Sequence, residues 1–399
     1  AARPLTIIAA EGMDVQPIRQ NRLLIGMAET YDLVITVPSS GAYEFRATSQ
    51  DGSGWASVFI GSGKEQPAPD TERINPYSMN VAIAAVLDQL DETGGLSDQA
   101  ALATEKPRPL PPYKRLKATE PTTLPTSAPV RKITLKLSGN MMRYIWTLND
   151  TTLSEDSTIP VKRGEVLQIE LVNNSMMHHP MHLHGHFFRL LMQDGPDPKY
   201  APLKHTVDVP PMSRRLIEFY ANEEKDWAFH CHLLYHMHAG MMKVLSYVDQ
   251  GSEHQPKLDL EMENPFYFLV DGSIQSQMSM GFARLMNTRN DFGVVWETGY
   301  QQVDQGLGLE YEIEPTWQRY INMRWMAFAG FRFTNLENKQ NTPIVGFTHL
   351  LPYMVSAQFS VEATGNLRFG LQRTFQLTSR LSAFGRVEYD TNSAQQLEW

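Results

Sequence analysis

Apolar and polar residues alternate through most of this chain, and the alternation changes character near residue 250. In "VSAQFSVEA" (355–363), Val355, Ala357, Phe359 and Val361 share one parity and Ser356, Gln358, Ser360 and Glu362 the other. "NLRFGLQRTFQL" sets Leu367, Phe369, Leu371 and Phe375 against Arg368, Gln372, Thr374 and Gln376. "RYINMRWMAFAGFRF" places Ile321, Met323, Trp325, Ala327, Phe331 and Phe333 on one side, and "GLGLEYEIE" opposes Leu307, Leu309, Tyr311 and Ile313 to Glu310, Glu312 and Glu314. Successive side chains of a strand point to opposite faces, so each segment predicts a strand with one apolar and one charged or small-residue face. Segments of about ten residues of this kind, joined by tight turns such as "ATGN", are the signature of a transmembrane β-barrel. A water-soluble antiparallel sandwich alternates too, and pattern alone leaves both open.

Earlier in the chain the strands are shorter. "RLLIGMAETYDLVITV" and "GAYEFRAT" are separated and followed by turn signals at Pro38-Ser39-Ser40-Gly41 and Asp51-Gly52-Ser53-Gly54, so residues 1–63 read as β structure. Residues 64–128 differ: a helical piece, "SMNVAIAAVLDQLDE", lies between "KEQPAPDTE" and the proline-rich "KPRPLPPYKRLKATEPTTLPTSAP", which reads as an extended linker. Strands resume with "RKITLKLSG", "RYIWTLND" and "EVLQIELVNNS" and continue to 249. The domains expected are therefore 1–63 and 129–249 as related sandwiches, 64–128 as a spacer and 250–399 as the barrel-like part.

Composition narrows the function. A chain of 399 residues with 42% hydrophobic and 20% charged residues is folded and too long for one ordinary core. Its net charge of −9 argues against nucleic acid as a partner. A single cysteine excludes an internal disulfide framework. No apolar run reaches the ~18 residues of a membrane-spanning helix. "AARPLTIIAAEG" lacks the basic start and long apolar stretch of a signal peptide, and its strand-like opening suggests a processed or truncated N-terminus.

The chemistry lies in the histidines. Nine of twelve fall in "HHPMHLHGH" (178–186) and "HCHLLYHMH" (230–238), and residues 1–177 contain none. If both clusters are extended, parity sorts them. His179 and Cys231, joined by His236 and Met241 from the following loop, form one group; His182, His184, His230 and His232 form another on the opposite face. Two imidazoles, a thiolate and a weak thioether are the ligands of a blue-copper electron-transfer centre, and an all-imidazole set suits copper that binds dioxygen. Continuity through Cys231 to His230 and His232 offers a short electron path between the two. A catalytic thiol needs one histidine rather than eight, four-coordinate zinc has no use for so many donors, and a merely buried cysteine does not account for histidines on both sides. His178, His186 and His238 fit no ligand slot and read as supporting or surface residues, and His205 and Asp208 in "KHTVDVPP" read as structural or supporting ones. The methionine pairs Met141-Met142 and Met176-Met177 read as core filling, although thioethers also bind Cu(I).

At "HPMHLHGH", "HCHLLYHMHAGMM", "LKHTVDVPP" and "DWAFHCHLLYHM" the chain resembles the multicopper oxidases, and most closely those of bacterial copper resistance. The resemblance covers residues 1–249 and implies an all-β fold of cupredoxin-like Greek-key sandwiches, 1–63 being the end of a middle domain and 129–249 the C-terminal one. It implies His179, Cys231, His236 and Met241 as type 1 copper ligands, His182 at the type 2 copper, and His184, His230 and His232 at the type 3 pair. Cys231, His230 and His232 would then carry the electrons. The family completes its trinuclear cluster with four further histidines from two His-x-His motifs, so another domain or polypeptide would have to supply them. "GLGLEYEIEPTWQRYI" and the segment from Leu350 to Thr391 are similar, more diffusely, to the outer-membrane copper-resistance proteins. That similarity implies an antiparallel, transmembrane-type β-barrel, left incomplete if the strand at Trp399 is its last. The expectation is a copper-dependent oxidase that takes electrons from Cu(I) or phenol-like donors and reduces dioxygen, in the periplasm or outer membrane of a Gram-negative bacterium. A non-catalytic protein that sequesters copper there is the alternative.

Overall fold

The computed structural model describes residues 4–50, 52–70, 111–140, 145–175, 177–192, 195–247, 264–303, 306–322, 324–336, 339–351, 355–376, 382–391 and 393–398. The helical piece expected at 78–92 lies outside them. The chain divides into two units, Ala1–Leu260 and Glu261–Trp399.

The first unit begins with β1 (Leu5–Ala10), β2 (Met13–Gln20) and β3 (Tyr31–Ile35), which form a three-stranded sheet in the order β2-β1-β3. A second small sheet comprises β4 (Gly41–Thr48), β5 (Trp55–Ser62) and β6 (Glu65–Gln66), with β4 and β5 paired as a hairpin. The strands that follow are β7 (Val130–Asn140), β8 (Ile145–Leu148), β9 (Thr158–Val161), β10 (Val166–Asn173), β11 (His179–Leu183), β12 (Phe188–Leu191), β13 (Leu203–Lys204), β14 (Thr206–Val209), β15 (Arg214–Tyr220), β16 (Asp226–Cys231) and β17 (Met242–Tyr247). They make two sheets, β13-β12-β15-β10-β7-β8 and β14-β11-β16-β17-β9. β7 runs parallel to β10 and β9 parallel to β17; the other pairs are antiparallel. A single-turn helix α1 (Leu234–His238) links β16 to β17.

The alternation explains the sandwich. In β10, Leu167, Ile169 and Leu171 are fully buried, while Gln168 and Glu170 are only half covered. With Leu135 and Leu137 of β7, Phe219 of β15 and Phe229 of β16, they form a core that also takes Leu5, Ile7 and Val15 from the opening strands. Burying each such side chain contributes about 1.5–3 kcal/mol. From Pro111 to Ala128 the proline-rich stretch holds a short 3₁₀ turn (Pro112–Lys114) and no strand, yet it is not a solvated spacer throughout. Tyr113 and Leu116 are buried in the same core, and Ala118 bridges to Val15.

The second unit is one antiparallel meander. Its strands are β18 (Tyr267–Ile274), β19 (Met278–Met286), β20 (Asn290–Val303), β21 (Gly306–Tyr320), β22 (Trp325–Thr334), β23 (Thr342–Leu350), β24 (Ser356–Glu362), β25 (Leu367–Gln376), β26 (Ser382–Asp390) and β27 (Ser393–Glu398), paired in chain order. Its burial is inverted relative to a water-soluble sheet. Arg332, Glu362, Arg368 and Asp390 are buried, and Leu309, Trp317, Val345, Phe347, Leu367 and Phe369 are exposed. Arg332 pairs with Glu314 at 2.6 Å and with Glu362; Arg368 reaches Glu312 at 2.6 Å and Glu314 at 2.8 Å; Arg386 reaches Glu297 at 3.2 Å. β26 and β20 stand six strands apart, about 29 Å along a flat sheet at ~4.8 Å per strand. Side chains do not span that distance, so the sheet curls around its charged face into a half-barrel. Among the described strands β18 and β27 are the two edges.

Candidate metal centre

β11 and β16 are neighbours in one sheet, with Met181 opposite Cys231 and His182 opposite His230. This register turns the alternation in both histidine clusters into geometry. His179 and Cys231 face the sandwich interior and are fully buried; His182 and His230 face away from it. α1 then carries His236 back over the thiol.

On the inner face, Cys231 Sγ lies 3.6 Å from His236 Nδ1 and 3.7 Å from His179 Nδ1, and the two Nδ1 atoms are 3.1 Å apart. These three donors form a group able to hold one metal ion. Met241 is fully buried, and its backbone bonds to both Cys231 (3.1 Å) and His236 (2.9 Å), so the loop closes on the same spot. Gly240 permits the closure. It sits at φ +117°, and a Cβ there would lie 2.8 Å from the Trp146 carbonyl oxygen. Ser175 Oγ, 2.7 Å from His179 Nε2, orients that ring.

Burial sets the protonation. It holds His179 well below the usual imidazole range, helped by His236 and His178, and brings His236 down to about 4. Both are neutral at pH 7 and free to donate lone pairs. Burial also pushes the Cys231 thiol far up, with a smaller push from Asp208, so without a cation it is no nucleophile. A bound cation reverses that balance and deprotonates a coordinating thiol.

On the outer face the four remaining imidazoles converge. His184 Nε2 and His230 Nε2 are 3.0 Å apart, and His182 has ring centroids 4.8 Å from His184, 5.5 Å from His230 and 5.6 Å from His232. His230 Nδ1 contacts the Cys231 carbonyl at 3.0 Å and His182 Nδ1 the His205 carbonyl at 3.0 Å. Carbonyls only accept, so each Nδ1 carries the proton and each Nε2 presents its lone pair. Burial brings His182 down to about 4, with His184, His205 and His230 adding repulsion; it also lowers His184 and His230.

The other histidines have different surroundings. His186 is satisfied by the His184 carbonyl (2.9 Å) and Tyr247 hydroxyl (2.6 Å), and His238 is exposed. His178 pairs with Asp208 at 2.7 Å. His205 lies beside His182 with ring centroids 5.0 Å apart. Sequence reading passed over Trp146, which stacks on His236 (centroids 3.8 Å, 27°) and meets His179 edge-on at 5.3 Å. No motif marks it; the only signal is a tryptophan on a strand bordering the site. Gly139 makes room for it, since a Cβ there would lie 1.9 Å from the indole. Gly139→Ala is expected to cost about 1–3 kcal/mol and to displace the ring that backs His236. Chemical denaturation together with the visible spectrum of copper-loaded protein measures both effects; an unchanged stability contradicts the packing.

The donor chemistry fits copper. The inner face offers two imidazole nitrogens and a thiol, with Met241 buried in the loop that closes on them, and the outer face offers imidazoles alone. The class so defined is a copper protein built on β-sandwiches. More particularly, residues 126–251 match the multicopper oxidase family model and residues 3–59 match a second multicopper oxidase model. The chain is 28% identical over 307 residues to the copper resistance protein A homolog of Pseudomonas syringae pv. tomato, covering 60% of this chain and 50% of that protein. It is 27% identical over 313 residues to copper resistance protein A of Escherichia coli, covering 60% and 51%. The match to L-ascorbate oxidase of Cucurbita pepo var. melopepo is 37% over 114 residues, covering 25% and 21%. Among solved structures, the McoA multicopper oxidase of Aquifex aeolicus overlays with a TM-score of 0.39 at 20% identity, covering 62% of this chain and 50% of that one. The chain spans about half the length of the curated relatives it matches. Two segments of the chain thus match models described as multicopper oxidase.

Proposed function

We propose that this protein works as a copper-dependent oxidase of copper resistance, with Cu(I) or phenol-like molecules as donors and dioxygen as acceptor. His179, Cys231, His236 and Met241 hold the type 1 copper; His182 serves the type 2 and His184, His230 and His232 the type 3 positions. Copper bound there supplies one-electron transfer and the four-electron, four-proton reduction of dioxygen to two waters. The observation that carries this reading is the register of β11 and β16 together with α1, which leaves a buried thiol and two imidazoles on one face and four imidazoles on the other. Cys231 joins them, because its side chain belongs to the first group and its peptide neighbours His230 and His232 to the second. The chain's own contribution is placement: neutral imidazoles, fixed tautomers and exclusion of water from the inner site.

Four imidazoles are half of the donors the family's cluster uses, and the remainder come from another domain or polypeptide. Oxygen uptake by copper-loaded protein with Cu(I) or a phenol tests the activity. Uptake that follows donor concentration supports it, and a fully loaded but inert protein favours the second reading, a copper-sequestering protein.

The second unit belongs, in this proposal, in the outer membrane, with the first unit in the periplasm. Its apolar residues face outward and its ion pairs inward, the arrangement lipid requires.

A further inference from the structure

We propose that Glu11 is a positioning residue of the imidazole site, holding the strand segment that fixes the tautomer of His182. The inference rests on the reading of that site as a copper site. Glu11 lies more than 190 residues from this segment in sequence, at a turn after β1 where its φ of +54° is left-handed, unusual for a residue with a side chain. Its carboxylate is fully buried. Oε1 accepts from Lys204 Nζ at 2.9 Å, and Oε2 accepts from the backbone N–H of His205 and, at 3.1 Å, of Thr206. Lys204 is equally buried and also pairs with Glu29 at 3.1 Å, which in turn accepts from the Tyr113 hydroxyl at 2.5 Å. Three buried charges thus secure two adjacent peptide groups.

Those peptide groups hold the ligand. His182 Nδ1 donates toward the His205 carbonyl at 3.0 Å and Thr206 Oγ1 at 2.9 Å, while Thr206 Oγ1 is itself turned toward the Ala28 carbonyl at 3.4 Å. With Nδ1 committed as a donor, Nε2 is the nitrogen left for a metal. In Glu11→Gln one amide oxygen replaces two carboxylate oxygens and the NH2 must face either Lys204 or the two N–H groups, so Lys204 is left with one carboxylate partner instead of two and the segment is free to turn. His182 then samples both tautomers.

The test uses the whole chain, with ¹⁵N shifts of His182 in metal-free protein and Zn(II) and Cu(II) titrations of the imidazole site. In the unmodified protein the Nδ1–H tautomer dominates. In Glu11→Gln a mixture is expected, with affinity at the imidazoles reduced about 10–100-fold and the blue absorption from Cys231 unchanged. An unaltered tautomer in folded Glu11→Gln overturns the proposal, as does a parallel loss of blue absorption, which marks general loosening. Thr206→Val removes the side-chain acceptor without touching a buried charge and is expected to shift the tautomer likewise. It decides the matter if Glu11→Gln does not fold, and an unaltered tautomer there overturns the proposal. An unmodified chain whose imidazoles take up no metal sinks the copper reading of that site, while the nitrogen shifts still decide what Glu11 does.

Discussion

Copper-loaded Cys231→Ser is expected to lose the intense blue absorption completely while the imidazole site continues to bind metal. The band is a property of thiolate-to-copper charge transfer, and Cys231 is the only thiol in the chain. Its Sγ sits 3.6–3.7 Å from both ring nitrogens of the inner group, so no other sulfur anion can substitute. Serine has nearly the same size, and an alcohol in this pocket stays protonated and offers a weak, hard oxygen. Burying that hydroxyl in place of the thiol costs about 1–3 kcal/mol, which a domain core of this size tolerates. The outer face should be indifferent, because His182, His184, His230 and His232 point the other way. The reciprocal variant, His182→Ala, is expected to keep the blue band and weaken the outer site. If unmodified, copper-loaded protein shows no band, the type 1 assignment fails; if Cys231→Ser empties both sites, the two faces are not independent.

Much of that site was legible because strands have a period of two. Once "HPMHLHGH" and "HCHLLYHMH" are taken as extended, parity alone separates Cys231 and His179 from His182, His184, His230 and His232, and the β11–β16 register brings those groups together. His236 and Met241 could be assigned only to a loop, and their placement needed α1 and the left-handed turn at Gly240. Trp146, Ser175, Glu11 and Lys204 were not legible. Each acts through a contact made by folding, with no spacing to announce it, and the Glu11–Lys204 pair joins segments almost two hundred residues apart. The proline-rich stretch misled for a related reason. Its prolines do keep it irregular, but Tyr113 and Leu116 find a core that composition does not reveal. In the second unit the alternation gave the strands and their faces, and the cross-strand ion pairs then gave the curl.

Val345→Arg separates a lipid-facing sheet from a water-facing one. Val345 lies mid-strand in β23, opposite Ala329 and Val361, and is more than half exposed on the apolar face. On a water-soluble protein an arginine at such a position changes stability by no more than about 0.5 kcal/mol. Facing hydrocarbon near the bilayer midplane, it costs about 2–4 kcal/mol. The inward position Arg332 gives the opposite contrast. Its guanidinium is buried against Glu314 and Glu362, and Arg332→Met leaves Glu362 without its cationic partner and Glu314 with Arg368 alone in either solvent, at about 3–5 kcal/mol. Folding equilibria of the full chain in phosphatidylcholine vesicles, compared with detergent-free buffer, read both. A large penalty for Val345→Arg in vesicles beside one for Arg332→Met establishes apolar-out, charged-in as the membrane orientation. A full-length protein that stays folded and monodisperse without detergent, and tolerates Val345→Arg, would instead make the charged face an ordinary interior and the apolar face a surface awaiting a protein partner.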